Sequence, residues 1–258
     1  MFKNLIGAGL LGFTALATAN VANAAVIRVT EANFNASAGL ITFSEFGGGT
    51  VNPTYNPSDY GGGAGSPTAT FDGFFQGQSL SANAAVDCPG AAATACVVGN
   101  PSGPLALDPN SPDTKITSDG ANPTSPVLSG NPTFNGPIAV LFSVDQFGVG
   151  FDGGFFNAIG STGITAFARN GSLLGTVSNL GLGIEFLGLV SDSENIAGVF
   201  LDLVGSEPAG FAIDNIRFGR RGDITPPNPN VVPLPAGAWL LLTGIGGLAA
   251  LRRRRKAA

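Results

Sequence analysis

The run Ile164-Thr165-Ala166-Phe167-Ala168-Arg169-Asn170-Gly171-Ser172-Leu173-Leu174-Gly175-Thr176-Val177 carries the clearest structural signal in this chain. Two strand-like segments flank Asn-Gly. That dipeptide is the strongest short-range hairpin signal, because both central residues of a type I′ turn need positive φ. The neighbouring segments continue the pattern. Ile138 to Val144 reads as a buried strand, and Phe147-Gly148-Val149-Gly150-Phe151 alternates large residues with Gly. Ile184 to Val190 is a further strand. From Ile196 to Val204, Val199, Leu201 and Leu203 fall on one face, opposite Phe200 and Asp202. Phe211 to Phe218 closes the series, but its apolar phase slips between Ile213 and Ile216. A bulge near Asp214-Asn215 would return both to the core.

The N-terminal half reads less clearly. Val26-Ile27-Arg28-Val29 opens it, and Leu40 to Phe46 places Ile41, Phe43 and Glu45 on one side. Asn52 to Gly63 is dense in Pro and Gly, which forbids a helix or a central strand. Thr68 to Phe75 can form a strand. Residues 81–137 hold many prolines and no sustained period, so an irregular insertion is expected there. It contains both cysteines, Cys88 and Cys96. In a secreted protein this isolated pair points to a disulfide; the redox or metal alternative has no further Cys or His to complete a site. With 39 Gly, 18 Pro and 19 Phe and no helical period of any length, the expected fold is all-β. We expect an antiparallel β-sandwich, jelly-roll-like, over residues 25–218.

Both ends read as addresses. Lys3, the apolar run Leu5–Ala17 and Ala22-Asn23-Ala24 describe a secretory signal peptide over residues 1–24, the alternative being an uncleaved membrane helix. Export would then engage the Sec translocon and signal peptidase. Residues 219–230 read as a Pro-rich spacer. Residues 236–251 give 16 positions without a charge, about 24 Å of helix, slightly short of a bilayer core of ~30 Å. Snorkelling Arg252 can extend that span. Arg252, Arg253, Arg254, Arg255 and Lys256 follow and should stay cytoplasmic, with the body on the periplasmic side. With both ends removed, six basic residues face 17 acidic ones, a net charge of −11. That argues against nucleic acid as a partner, since phosphate contacts need clustered Lys and Arg.

Val232, Pro233, Leu234, Pro235 and Ala236, followed by the uncharged helix and the Arg block, resemble the PEP-CTERM family of bacterial sorting tails, in its Val-Pro-Leu-Pro-Ala variant. The match covers residues 231–258. It implies recognition by an exosortase-type membrane transpeptidase, cleavage near the motif and a Gram-negative host. It also implies an association with exopolysaccharide or biofilm matrix, and a destination at the cell surface or in the medium. Leu234 stands where the name-giving motif has Glu, which leaves the subtype of the processing enzyme open. Ile41-Thr42-Phe43, Val149-Gly150-Phe151 and Ile213 to Phe218 resemble the β-sandwich ectodomains that precede such tails.

Chemistry in the body is constrained by the absence of His, which removes Ser-His-Asp triads, Cys-His pairs and His-ligated zinc. A carboxylate-only hydrolase needs two acids at the right separation, and Glu45, Glu185 and Glu194 are the first to test. Calcium wants several oxygen ligands, for which Asp152 with Asn157, Asp192 with Glu194, and Asp214 with Asn215 are candidates. The alternative for Asp214 is a bulge residue bonding its own backbone. Tyr55 and Tyr60 lie in the Pro/Gly-rich segment, where exposed loops could stack an aromatic ring on a sugar. Trp239 belongs to the membrane boundary. Three readings follow: a non-catalytic surface or matrix protein that binds polysaccharide, a carboxylate-dependent glycan hydrolase, and a purely structural or adhesive matrix protein.

Overall fold

The computed structural model describes residues 26–120, 126–203 and 205–226. Their strands in chain order begin with β1 (Ile27–Val29), β2 (Gly39–Ile41), β3 (Thr54–Tyr55), β4 (Ala69–Asp72) and β5 (Gln78–Leu80). A single helical turn, α1 (Ala84–Asp87), precedes β6 (Val97–Gly99), β7 (Thr114–Thr117) and β8 (Val127–Gly130). Longer strands follow: β9 (Ala139–Gln146), β10 (Gly148–Phe156), β11 (Thr162–Phe167), β12 (Leu173–Ser178), β13 (Gly183–Val190), β14 (Ile196–Leu203) and β15 (Ala212–Gly219). One sheet runs β1-β13-β10-β15-β8-β7, with β2 also paired to β15; the other runs β12-β11-β14-β9-β4-β3. The strand ladders within both sheets are antiparallel.

One apolar core lies between the sheets. It draws Val149, Phe151, Leu187, Leu189, Ile213, Ile216 and Phe218 from the first and Phe71, Val140, Phe142, Ile164, Val199 and Leu201 from the second. The rings of Phe142 and Phe218 meet across the layer at 5.1 Å. Each fully buried Phe contributes on the order of 2–3 kcal/mol. The large-Gly alternation of β10 has a packing cause. Val149 and Phe151 fill the core, while the outward face is covered. A Cβ on Gly150 would lie 2.5 Å from the Phe186 ring, and one on Gly148 would lie 2.7 Å from Ile224 and Val190.

The Asn-Gly hairpin forms between β11 and β12, with a register shift after Ala166. Its turn differs from the expected type I′. The Gly171 amide bonds Ala168 O at 2.9 Å, and of the two central residues Gly171 has positive φ, at +82°. Asn170 instead turns its side-chain oxygen onto the amide and hydroxyl of Ser172, at 3.0 and 2.7 Å. A turn of this kind closed by a left-handed Gly is a common longer hairpin loop.

Among the described residues, 81–137 are largely without regular structure, as expected, but not wholly so. They contribute β6, β7 and β8, and the last two extend the first sheet. Strands of three and four residues between prolines leave no readable period. The segment leading into this region and the stretch beyond β6 supply Phe74, Phe75 and Leu105. These pack with Ala139, Phe167, Ala197 and Phe200 over the outer face of the second sheet. That explains why Phe200, opposite Val199 and Leu201, is also buried. Cys88 and Cys96 are disulfide-bonded. Two further expectations change. The strand at Leu40–Phe46 ends at Ile41, because Phe43 takes φ +57° to turn its ring inward. The spacer does not begin at residue 219: Gly219 completes β15, and Ile224 is buried with Val29, Phe34, Phe147 and Val190. No helix among the described residues is long and apolar enough to cross a membrane. The signal segment 1–24, the sorting motif Val232–Ala236, the span 236–251 with Trp239, and Arg252–Lys256 lie outside the described residues.

Candidate functional site

The phase slip in β15 is a bulge. Gly150 pairs with Arg217 but Asp152 pairs with Asp214, so β15 carries one residue more than β10 between those rungs. Asn215 takes φ +47°, and Ile213 and Ile216 are both buried. The bulge gathers three of the calcium candidates. The Asn215 amide nitrogen donates to Asp152 Oδ2 at 2.9 Å and to Asp214 Oδ2 at 3.3 Å. The Asn215 N–H donates to Asp214 Oδ1 at 2.7 Å. Burial raises the Asp152 carboxyl above its ordinary range, and the bond from Asn215 offsets part of that. Asp119, Asp152 and Asp214 border one crevice of only about 10 Å³. Among the described residues no group of three or more acidic side chains is close enough to hold a metal ion. Asn157 does not join Asp152. Its Oδ1 accepts from the Ala209 amide at 2.9 Å, in the loop before β15.

The three acids singled out for hydrolysis are each engaged in holding loops. Glu45 accepts from the Thr42 amide and hydroxyl at 2.9 and 3.0 Å. Glu185 pairs with Arg28 at 3.3 Å and caps the amides of Leu180 and Gly181 at 2.8 and 2.6 Å. Glu194 accepts from the Arg221 amide and from Arg220 Nε, at 2.9 and 3.0 Å, and the Arg221 bond heads the causes that lower its pKa. Asp192, its proposed calcium partner, accepts from the Ser193 hydroxyl at 2.9 Å.

The two tyrosines part company. Tyr55 is a correction: it is fully buried rather than loop-exposed. Because β3 pairs with β4, alternation turns Thr54 outward and Tyr55 into a cluster with Phe43, Phe46 and Phe71. Its hydroxyl has no partner, and burial raises its pKa. Tyr60 is half-buried; its hydroxyl donates to Pro67 O and its ring meets Phe218 edge-on at 5.3 Å. Burial pushes its pKa up to about 12. It is a prop for its own loop, and that loop walls an open cleft.

That cleft measures about 280 Å³ and opens to solvent at the end of the sheets where β9 and β15 finish. Gly63 to Pro67 form one wall; Gln146, Gly219, Arg220 and Asp223 form the other. Asp223 accepts from the Ser37 hydroxyl at 2.8 Å and from the Arg220 amide at 2.9 Å. Gln146 is 1 % exposed, donates from Nε2 to Val144 O at 2.6 Å, and its Oε1 accepts nothing.

A second buried group also escaped sequence reasoning. Glu207 is completely buried, and its Oε2 takes the Ser161 hydroxyl at 2.8 Å and the Asn157 amide at 3.1 Å. Burial raises its pKa above the ordinary range. In Ser206-Glu207-Pro208 nothing local announces this, and Gln146 closes an apolar strand with no motif around it.

Fold and cleft together define an antiparallel all-β protein with an open polar cleft at one end. No family model matches this chain, and a search of curated proteins finds no match.

Proposed function

We propose that this chain is an exported, tail-processed protein of a Gram-negative cell surface or extracellular matrix, which acts without catalysis by associating with exopolysaccharide. The observation that carries the reading is the three-part tail: Val232 to Ala236, then residues 236–251 without a charge, then Arg252 to Lys256. In this reading residues 1–24 direct export through the Sec translocon and are removed by signal peptidase. The tail holds the body on the periplasmic side until an exosortase-type transpeptidase cuts near the motif.

The body supports this in two ways. Its cysteines are paired, as suits an oxidising compartment outside the cytoplasm. Its strand order supports a jelly roll. The ladder β8-β15-β10-β13 faces β12-β11-β14-β9, and consecutive strands from β8 to β15 change sheets at every step except the β11–β12 hairpin.

Intact mass spectrometry of the mature protein from its host tests the reading. The expected species begins at Ala25 and ends near Val232–Ala236. A mature protein that keeps Arg252 to Ala258 overturns it.

A further inference from the structure

We infer that the uncharged tip formed by the β10–β11 and β12–β13 loops docks on the surface of a neutral, zwitterionic lipid bilayer. The docking rests on the tail reading above for its membrane, whereas the tip is a feature of the body alone.

Five apolar side chains protrude at this tip. Phe155, Ile159, Leu180, Leu182 and Ile184 are 54, 67, 65, 63 and 43 % exposed. They lie at the end of the sheets opposite the cleft, where β10 finishes and β13 begins. A Cβ built on Gly183 would lie 3.5 Å from the Phe155 ring, so the two loops meet there. Asn179 ties them together a second time. It is fully buried, its Nδ2 donates to Ala158 O and Gly181 O, both at 2.8 Å, and its carbonyl accepts from the Gly160 amide at 3.0 Å. The exposed side chains are therefore carried on a braced tip. They present on the order of 500 Å², the size of the largest patch on a typical monomer, which is often functional.

Four features point to lipid as what covers it. The first is charge. Between Asp152 and Glu185 the one charged residue is Arg169, which follows the far end of β11. Glu185 itself is taken up by Arg28 and by the loop amides. The acids nearest the patch, Asp119 and Asp152, border Ile184. With a net charge of −11 on residues 25–230, an anionic surface would repel this body, while the outward ammonium of a choline headgroup matches the acidic margin. The second is the backbone. Hydrocarbon offers no hydrogen bonds, so any backbone that enters it must be satisfied internally. Glu185 takes the Leu180 and Gly181 amides at 2.8 and 2.6 Å, and Asn179 takes the Gly160 amide and the carbonyls of Ala158 and Gly181. The third is size: the patch falls short of the ~800 Å² per partner of a stable protein interface, which disfavours a second copy. The fourth is reach. Ile224 lies against Gly148 at the start of β10, and Phe155 stands near its other end. Residues 227–235, extended at about 3.3 Å each, match the length of β10. The uncharged run 236–251 can therefore lie in the same bilayer that the tip touches.

The test places the full chain in phosphatidylcholine vesicles with its disulfide kept oxidised. Both native cysteines are paired, so one added cysteine can be labelled alone with an environment-sensitive fluorophore. Ile159→Cys and Leu182→Cys put the label on the tip; Leu173→Cys, 56 % exposed at the opposite end of the sheets, is the control. The expected result is a blue shift at both tip positions and quenching there by a doxyl-labelled lipid, with neither at the control. Ile159→Ser combined with Leu180→Ser should abolish the shift of the Leu182→Cys label. Because both side chains are exposed, that variant should melt within about 2 °C of the parent. Tip labels that stay aqueous on vesicle-bound chain overturn the inference, as does a control label that enters equally or a shift that survives the serine variant. A shift that persists in detergent, with energy transfer between tip labels on two chains, overturns it in favour of a second copy. Chain that stays off the vesicles overturns it too. None of these outcomes alters the masses expected for the processed termini, so failure here and failure of the tail reading remain separable.

Discussion

Two tyrosines five positions apart meet opposite fates, and the difference is testable. Tyr55 keeps a buried hydroxyl with no partner, whereas the Tyr60 hydroxyl bonds Pro67 O. Removing an unsatisfied polar group stabilises, and removing a satisfied one costs about 0.5–1.5 kcal/mol. Tyr55→Phe should therefore raise the melting temperature by about 2–4 °C and Tyr60→Phe should lower it by a similar amount, read by circular dichroism. Glu207 adds a pH dependence. Its carboxyl is raised by burial, so the fold favours the protonated form. Its contribution to stability is full below the ordinary carboxylate range and is lost as pH rises through the raised folded value. Glu207→Gln keeps an oxygen for Ser161 and Asn157 but cannot ionise. The variant's advantage over wild type in melting temperature should grow from none near pH 4 to about 2–4 °C at pH 7. A difference that stays constant with pH would show that Glu207 does not ionise on unfolding.

Among the elements, β15 carries the most structure per residue. It lies between β10 on one side and β8 and β2 on the other, and its bulge falls where one flanking partner gives way to the other. Asn215 serves that bulge twice, through its left-handed backbone and through an amide shared by Asp152 and Asp214. Asn215→Gly loses the amide bonds but removes the Cβ, while Asn215→Ala loses them and keeps a Cβ at positive φ without the polar side chain that lets Asn tolerate it, a cost of about 1–2 kcal/mol relative to Gly. Urea denaturation should rank wild type above Gly and Gly above Ala, with the Ala variant destabilised by roughly 2–4 kcal/mol. Equal losses in the two variants would mean that the backbone conformation is not what the position demands. The same amide nitrogen donates to both carboxylates, so the bulge supplies these acids with an internal hydrogen-bond donor.

Over the whole molecule, charge is lopsided. Five of the six cations in residues 25–230 are engaged: Arg28, Arg169, Arg217 and Arg220 in ion pairs, and Arg221 over the Phe147 ring at 4.5 Å. Such exposed pairs are worth little each. The excess of acids repels itself in the compact state. Raising sodium chloride from about 10 to 150 mM shortens the screening length from ~30 to ~8 Å. The melting temperature should rise by about 2–5 °C over that interval. A fall would mean that the ion pairs outweigh the repulsion.

Much of this architecture is written locally. Alternation along β14, the Asn-Gly turn between β11 and β12 and the slipped phase of β15 depend on residues a few positions apart. The strands, the hairpin and even the bulge can therefore be read in order along the chain. The proposed sorting tail, residues 231–258, is likewise a contiguous pattern. The cleft is different. Gly63, Gln146 and Asp223 follow one another at gaps of about 80 residues in sequence and line one cleft only because β9 and β15 end at the same edge of two facing sheets. Tyr55 and Glu207 belong to the same category: whether a side chain is buried depends on what folds over it, and no period in the chain encodes that. Strand identity came from periodicity, which is a property of neighbours. The placement of the unpaired Gln146 oxygen, the buried Glu207 carboxyl and the propped Gly63–Pro67 loop was decided by the packing of two sheets, which is not.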